Sequence, residues 1–162
     1  MSQIMLINRV KIYTTIQSKE IHQKPILNSD SISYENLGSK FSSICCIMNC
    51  SSPLSESKDY KTLTKVFKKL MMNIENIYVV NINNSISNNF IQFIHEFNFS
   101  KIFIFGEDAL MNNLPVTLEK LKSTSYEMKH ILLMENLNTL TTSKDENLKA
   151  KCWDSIQNFY KQ

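Results

Sequence analysis

The chain alternates between short, largely apolar runs and longer amphipathic stretches. Ile44–Met48 (ICCIM) is apolar at every position, as a strand covered on both faces requires. Three similar runs follow, at 76–82 (NIYVVNI), Lys101–Phe105 (KIFIF) and 131–134 (ILLM). Between them the apolar period becomes helical. Over 58–72, Tyr60, Leu63, Phe67, Leu70 and Met71 recur at helical spacing, and Lys61, Lys65, Lys68 and Lys69 lie mostly off that stripe. A shorter helix is predicted over 90–97, where Phe90, Ile91, Phe93, Ile94 and Phe97 make a broad apolar face. Val116, Leu118 and Leu121 predict another helical segment over 116–125. The last helix is predicted from 144 to about 160, with Leu148, Cys152, Ile156 and Phe159 on one stripe and Trp153 and Tyr160 beside it.

Strands that alternate with helices across long crossovers imply a parallel sheet with right-handed connections. The expected fold is therefore α/β, a three-layer, Rossmann-like domain with about four parallel strands. Local signals fill in the joints. Ser55 is a candidate cap for the helix at 58. Ser143 and Glu146 have capping-box spacing, and 136–143 reads as a loop before them. The sequence after Phe105 reads as a Gly106 turn followed by a helical turn over 107–110, limited by Pro115. Neither an internal repeat nor a sustained heptad is visible.

The first 40 residues break this alternation. Ile4, Met5, Leu6, Ile7, Val10, Ile12 and Ile16 are apolar but interspersed with Arg9, Lys11, Lys19 and Lys24, and Pro25 stops any helix. A Ser/Asn/Gly tract, LNSDSISYENLGSK, follows as a linker would. Residues 1–40 are therefore read as a peripheral or flexible partner-binding segment plus linker, and 41–162 as the α/β domain. Ile4, Leu6, Ile7, Val10, Tyr13 and Ile16 are the candidate partner-binding positions, and Trp153, Phe159 and Tyr160 a candidate second interface.

Composition narrows the function classes. At 162 residues the chain is long enough for one sizeable core, and 43% hydrophobic residues argue against disorder throughout. A net charge of +3 is too mild to argue for strong nucleic-acid binding. No run approaches the ~18 apolar residues of a membrane span, and basic residues follow the amino-terminal apolar patch instead of preceding it. A cytoplasmic protein with no membrane partner is expected. The four cysteines, Cys45, Cys46, Cys50 and Cys152, lack a second Cys/His pair at zinc-ligand spacing and read as buried reduced thiols.

The candidate chemistry lies at the carboxyl ends of the strands, where open α/β sheets place ligands. With only Gly38 and Gly106, neither a dinucleotide fingerprint nor a Walker loop is present. Glu107 and Asp108 stand where a catalytic pair or magnesium ligand would, but the exits at 49–52 and 81–83 offer no further carboxylate. Cys50 and Ser51 follow the first apolar strand, and neither His22, His95 nor His130 is placed by order or spacing to activate them. Neither a metal nor a cofactor is expected. Helix-start chemistry is the ordinary role for Glu107 and Asp108.

Several of these stretches together are similar to a known family. The Pro53-containing turn, the Phe105–Gly106–x–x–Ala109 turn and the Leu137–Asn138–Thr139–Leu140 tract are arranged as in the uracil-DNA glycosylase fold. That family carries Gly-x-Asp-Pro at the first exit and His-Pro-Ser-Pro at the last. Here the first is Asn49–Cys50–Ser51–Ser52–Pro53 and the last is Glu135–Asn136–Leu137–Asn138–Thr139–Leu140. Residues 44–161, including KIFIFGEDAL and the closing NLKAKCWDSIQNFYK, resemble the psi-like, non-catalytic branch of this fold from the bacterial DNA polymerase III clamp-loader assembly. The resemblance implies a non-enzymatic bridge in DNA replication. Its partners are a clamp-loader subunit, met by the amino-terminal peptide, and a chi-type or single-strand-binding protein partner. The tail departs from the Leu-Gly-Ile-x-x-Trp pattern of psi peptides. The alternatives are a divergent DNA glycosylase using Asn49, Asp108 or Asn138, and a receiver-like or flavodoxin-like domain with Glu107 and Asp108 at its site.

Overall fold

The computed structural model describes residues 34–82 and 89–162. Ile4, Leu6, Ile7, Val10, Tyr13 and Ile16 lie outside the described residues. Within them the fold is α/β. Six strands, β1 (Glu35–Leu37), β2 (Ile44–Met48), β3 (Tyr78–Asn81), β4 (Lys101–Phe105), β5 (Ser123–Tyr126) and β6 (Lys129–Met134), form one sheet in the order β1-β3-β2-β4-β6-β5. The four central strands are parallel. The two edges are antiparallel, β1 against β3 and β5 against β6, so the sheet is mixed and not the parallel four-stranded one expected.

The edges escape an apolar pattern for a physical reason. A central parallel strand is covered on both faces, whereas an edge strand needs little apolar sequence. β1 (ENL) lies within the tract read as a linker, and β5 (STSY) within the segment read as helical. No helix forms over 116–125. That chain is irregular up to β5, with an isolated bridge from Lys120 to Leu133 and Leu121 at φ 64°, and it sets Val116 and Leu118 against one core cluster and Leu121 against the other. The β5–β6 hairpin closes through Glu127 and Met128, at φ 45° and 57°. Two positive φ values fit a type I′ turn, which usually advertises itself as Asn-Gly. In this chain the signal is absent.

Four helices among the described residues pack on the sheet: α1 (Lys58–Lys69), α2 (Phe90–Glu96), α3 (Leu137–Thr142) and α4 (Glu146–Lys161). Their starts are set by caps that differ from the expected ones. Ser57, not Ser55, caps α1 by accepting from the amides of Asp59 and Tyr60 at 3.1 and 3.4 Å. Asn136 caps α3, which replaces the expected loop, by accepting from Asn138 N at 2.9 Å. Asp145, not the Ser143/Glu146 pair, caps α4 through Asn147 N and Leu148 N. Met71 also departs from its expected place on the α1 stripe. It is 93% exposed, because it takes the left-handed position (φ 61°) that ends α1. Met72 N donates to Phe67 O and Met71 N to Lys68 O, which is a Schellman closure made without glycine.

Strand alternation divides the core in two. Ile44, Cys46 and Met48 of β2 join Phe103 and Phe105 of β4 on one face, where α1, α3 and α4 pack through Phe67, Leu137, Cys152, Ile156 and Phe159. Cys45 and Ile47 join Ile102 and Ile104 on the other, beneath Phe90, Phe93 and Ile94 of α2. The ring of Phe103 meets those of Phe67 and Phe159 edge-on, at 5.7 and 4.8 Å between centroids. Among the described residues no helix is long and apolar enough to cross a membrane.

Candidate functional site

The chain leaves β2 toward β3 on one side and later returns to β4 on the other side. The carboxyl end of β2 is therefore a topological switch point, where such sheets usually open a crevice. A polar cleft of roughly 460 Å³ lies there. Asn49, Cys50 and Ser51 line one part, Ser57 and Asp59 of the α1 start another, and Asn136 and Asn138 a third.

Most of these groups are engaged with one another. Asn81, the last residue of β3, is buried at 1% exposure. Its Oδ1 accepts from Cys50 N at 2.9 Å, and its Nδ2 donates to Cys50 O at 3.2 Å and to Glu35 Oε2 at 3.3 Å. The other oxygen of Glu35 accepts from Leu54 N at 2.8 Å. The carboxamide thus acts as one more peptide rung beyond the end of the β2–β3 ladder, and ties the β2 exit to β1. Asn49 Nδ2 donates to Asp108 O at 3.1 Å, and Asn136 Nδ2 reaches both oxygens of the Asp108 carboxylate at 3.4 and 3.5 Å.

The two carboxylates singled out in the sequence are thus placed apart in role. Asp108 is held by Asn136. Glu107 pairs with Lys120 at 3.3 Å, and Lys120 also pairs with Glu135 at 3.2 Å. Those two hydrogen-bonded carboxylates, Glu135 before Glu107, hold the Lys120 ammonium above its usual range. Gly106 starts the Glu107–Ala109 turn with no side-chain cap, and buried Ala109 packs into the α2-side core. Helix-start chemistry is therefore only part of what this turn does.

Sequence order hides two further acids. Asp59, from the first turn of α1, and Glu35, from an edge strand inside a tract read as linker, both reach the β2 exit. The Cys50 thiol donates to Asp59 Oδ2 at 3.8 Å and accepts from Ser57 Oγ at 3.4 Å. Burial pushes that thiol up, the Ser57 hydroxyl opposes this, and the charges of Asp59 and Glu35 add to it. The Asp59 carboxyl is itself pushed up, first by burial and then by Asp108, with the Cys50 hydrogen bond working the other way. No histidine among the described residues joins the cluster. His95 faces Glu127 at 3.8 Å, and His130 meets Ser125 at 3.0 Å. Nor does any group of three His, Cys, Asp or Glu side chains among the described residues suit a metal ion.

A protonated, buried thiol is a poor nucleophile. Cys50 should therefore react with iodoacetamide at neutral pH at least about tenfold more slowly in the native chain than in urea. Asp59→Asn should speed the native reaction, because a charge that repels the thiolate is gone. Peptide mapping of the alkylated chain reads both rates. Native labelling of Cys50 as fast as in urea would show an activated thiol instead.

Neither a family model nor a curated protein matches the chain.

The second feature lies on the other side of α1. Val66 and Lys69 of α1, Leu140 of α3, and Cys152, Trp153 and Ile156 of α4 line an apolar groove of roughly 230 Å³. Cys152 and Ile156 are buried at its floor, while Val66, Leu140 and Trp153 are half-buried. The Lys69 ammonium lies over the Trp153 ring, 5.6 Å from its centroid. The three aromatics proposed as a second interface therefore separate. Phe159 is core at 1% exposure and is corrected to a structural role. Tyr160 is half-buried under the Lys101 ammonium, and Trp153 alone of the three lines the groove.

Proposed function

We propose that this chain is a non-catalytic protein–protein interaction subunit, psi-like in kind, built on the three-layer uracil-DNA glycosylase scaffold and working in cytoplasmic DNA replication. The observation that carries this reading is the engagement of the switch-point side chains. At the exit where the glycosylase family positions its water, the backbone of Cys50 is fastened by Asn81. At the exit where that family grips DNA, Asn136 caps α3 and holds Asp108. Groups bonded in this way hold loops in place and are poorly disposed to exchange partners during a reaction. Function then falls to surfaces, and the groove beside Trp153 and the amino-terminal segment are the two on offer. By resemblance, the segment serves a clamp-loader subunit and the folded domain a chi-type or single-strand-binding protein partner.

Purified clamp-loader subunits and single-strand-binding protein, titrated against the full chain by calorimetry, test the assignment. Binding of at least one is expected, and the doubly substituted Ile7→Glu/Val10→Glu chain should lose the clamp-loader contact by about tenfold or more. If neither protein binds the unsubstituted chain, the replication role is wrong. The polar cleft at the switch point keeps a divergent DNA glycosylase as the second reading. Release of uracil from single-stranded DNA, abolished by Asn49→Ala, would establish that reading in place of the first.

A further inference from the structure

We infer that the groove between α1, α3 and α4 is a docking site for an acidic peptide that inserts apolar side chains beside Trp153, an inference that rests on the interaction-subunit reading and names the chemistry of the partner. The argument begins with charge on α1. Its 12 residues carry Lys58, Lys61, Lys65, Lys68 and Lys69 against a single acid, Asp59. The Asp59 carboxylate is turned toward Cys50. None of the five ammonium groups is in an ion pair among the described residues. Like charges three and four residues apart on a helix repel one another. The helix dipole favours Lys68 and Lys69 in its last turn, and the Trp153 ring lies beneath Lys69, but no carboxylate among the described residues offsets the charge of the face, which an anionic partner would meet.

The lysines are also placed with respect to the groove. Positions 58, 62, 65 and 69 form one row at spacings of three and four, adjacent to Val66 on the helix surface. Lys69 therefore lines the groove on its α1 side, Lys65 follows one turn back on the same row, Lys61 and Lys68 lie one row further out, and Lys58 turns to the polar cleft at the β2 exit. On the α4 side Lys149 also lines the groove, paired with Glu146 at 2.9 Å. Glu146 is the acid on that rim, with a highly exposed side chain that is free to yield to a competing carboxylate.

Apolar walls with a basic rim distinguish among anions. A phosphate backbone satisfies the lysines but offers nothing to Val66, Leu140 and Trp153. A peptide offers both, with Leu, Ile or Phe side chains for the groove and Asp or Glu for the rim. The volume of roughly 230 Å³ admits side chains and excludes a whole helix, so the partner lies across the mouth and projects into it.

The test uses the full-length chain as bait for a random-peptide display library, with Val66→Glu as the bait that closes the groove. Peptides selected by the unsubstituted chain and lost on Val66→Glu are groove-dependent. They are expected to carry net negative charge together with at least one large apolar residue. Synthetic copies should shift the emission of Trp153, the only tryptophan of the chain. The exposed Lys69→Glu change, which touches no core residue, should weaken them by about tenfold or more. Added salt should weaken them as well. Groove-dependent peptides that are neutral or basic would overturn the acidic-partner inference and leave the interaction reading intact. Single-stranded oligonucleotide that shifts Trp153 in a Lys69-dependent way, where no peptide is selected, would overturn it in favour of nucleic acid. An absence of any groove-dependent ligand would overturn it outright, while the clamp-loader titration still reads the role of the chain separately.

Discussion

Asn81→Leu is expected to lower the unfolding free energy by about 3–5 kcal/mol, because two buried backbone groups lose their partners together. The native carboxamide accepts from Cys50 N and donates to Cys50 O, at 2.9 and 3.2 Å. Leucine has the same branching, is bulkier, and can satisfy neither, and a buried unsatisfied group costs about 1–3 kcal/mol. Glu35 is on the solvent side, so its lost contact is largely replaced by water. Urea unfolding followed by Trp153 fluorescence measures the change. A loss below about 1 kcal/mol would mean that the β2 exit holds without this rung.

Asn81→Asp sharpens the test. It keeps the shape and an acceptor, but turns the donor that faces Cys50 O and Glu35 into an anion. Burial and Glu35 would raise the pKa of the introduced carboxyl above its unfolded value of about 3.9. The protonated form is then the one that the folded state favours. The variant should be least stable, relative to the unsubstituted chain, at neutral pH. The gap should narrow as pH falls through that raised pKa toward about 4. A gap that does not change with pH would indicate that the site is wetter than its burial implies.

Asn81 also shows how much of the architecture is visible in the order of residues. The four central strands are apolar over most of their length, because parallel strands buried on both faces admit little else, and such runs stand out. The helices α1, α2 and α4 announce themselves by period. What stays hidden is every element whose stability comes from a partner and not from its own pattern. β1 is held by its ladder to β3, β5 by a hairpin closed with Glu127–Met128, and α3 by the cap of Asn136. The site has the same character. Glu107, Asp108, Asn49 and Cys50 are legible as a cluster at the strand ends. Asp59 and Glu35 are not, since only the fold brings them to the β2 exit. One signal was available: Asn81 is the one polar carboxamide in the otherwise apolar strand Tyr78–Asn81, and a buried amide needs hydrogen-bond partners. The groove was half legible. The lysine face and Trp153 are evident in the sequence, but that they border one surface depends on how α4 crosses α1.

Gly106→Ala is the second change expected to be costly, at about 2–4 kcal/mol, and its parts can be separated. The backbone at Gly106 has φ 94° and ψ 149°, a region that residues with a Cβ avoid. Holding alanine there costs about 1–3 kcal/mol. The added Cβ would also stand 2.3 Å from Asp108 Oδ1 and 3.2 Å from Asn136 Nδ2. Asp108 is exposed and can swing away, which breaks its bonds to Asn136 and adds about 1 kcal/mol. The two costs differ in their response to a second change. Asp108→Ala alone should cost no more than about 1 kcal/mol. Combined with Gly106→Ala it removes the clash, so the double variant should be destabilised by less than the sum of the singles, by roughly the value of the lost hydrogen bond. The backbone strain should remain in both. Additive losses would mean that the turn moves as a unit and that Asp108 plays no part in setting it. Binding of groove peptides should be unchanged in all three variants, because the Gly106 turn meets the α2-side core through Ala109 and the groove lies on the opposite face of the sheet. If those peptides bind less well in proportion to the stability lost, the switch point and the groove form one cooperative unit, and the separation of scaffold from docking surface fails.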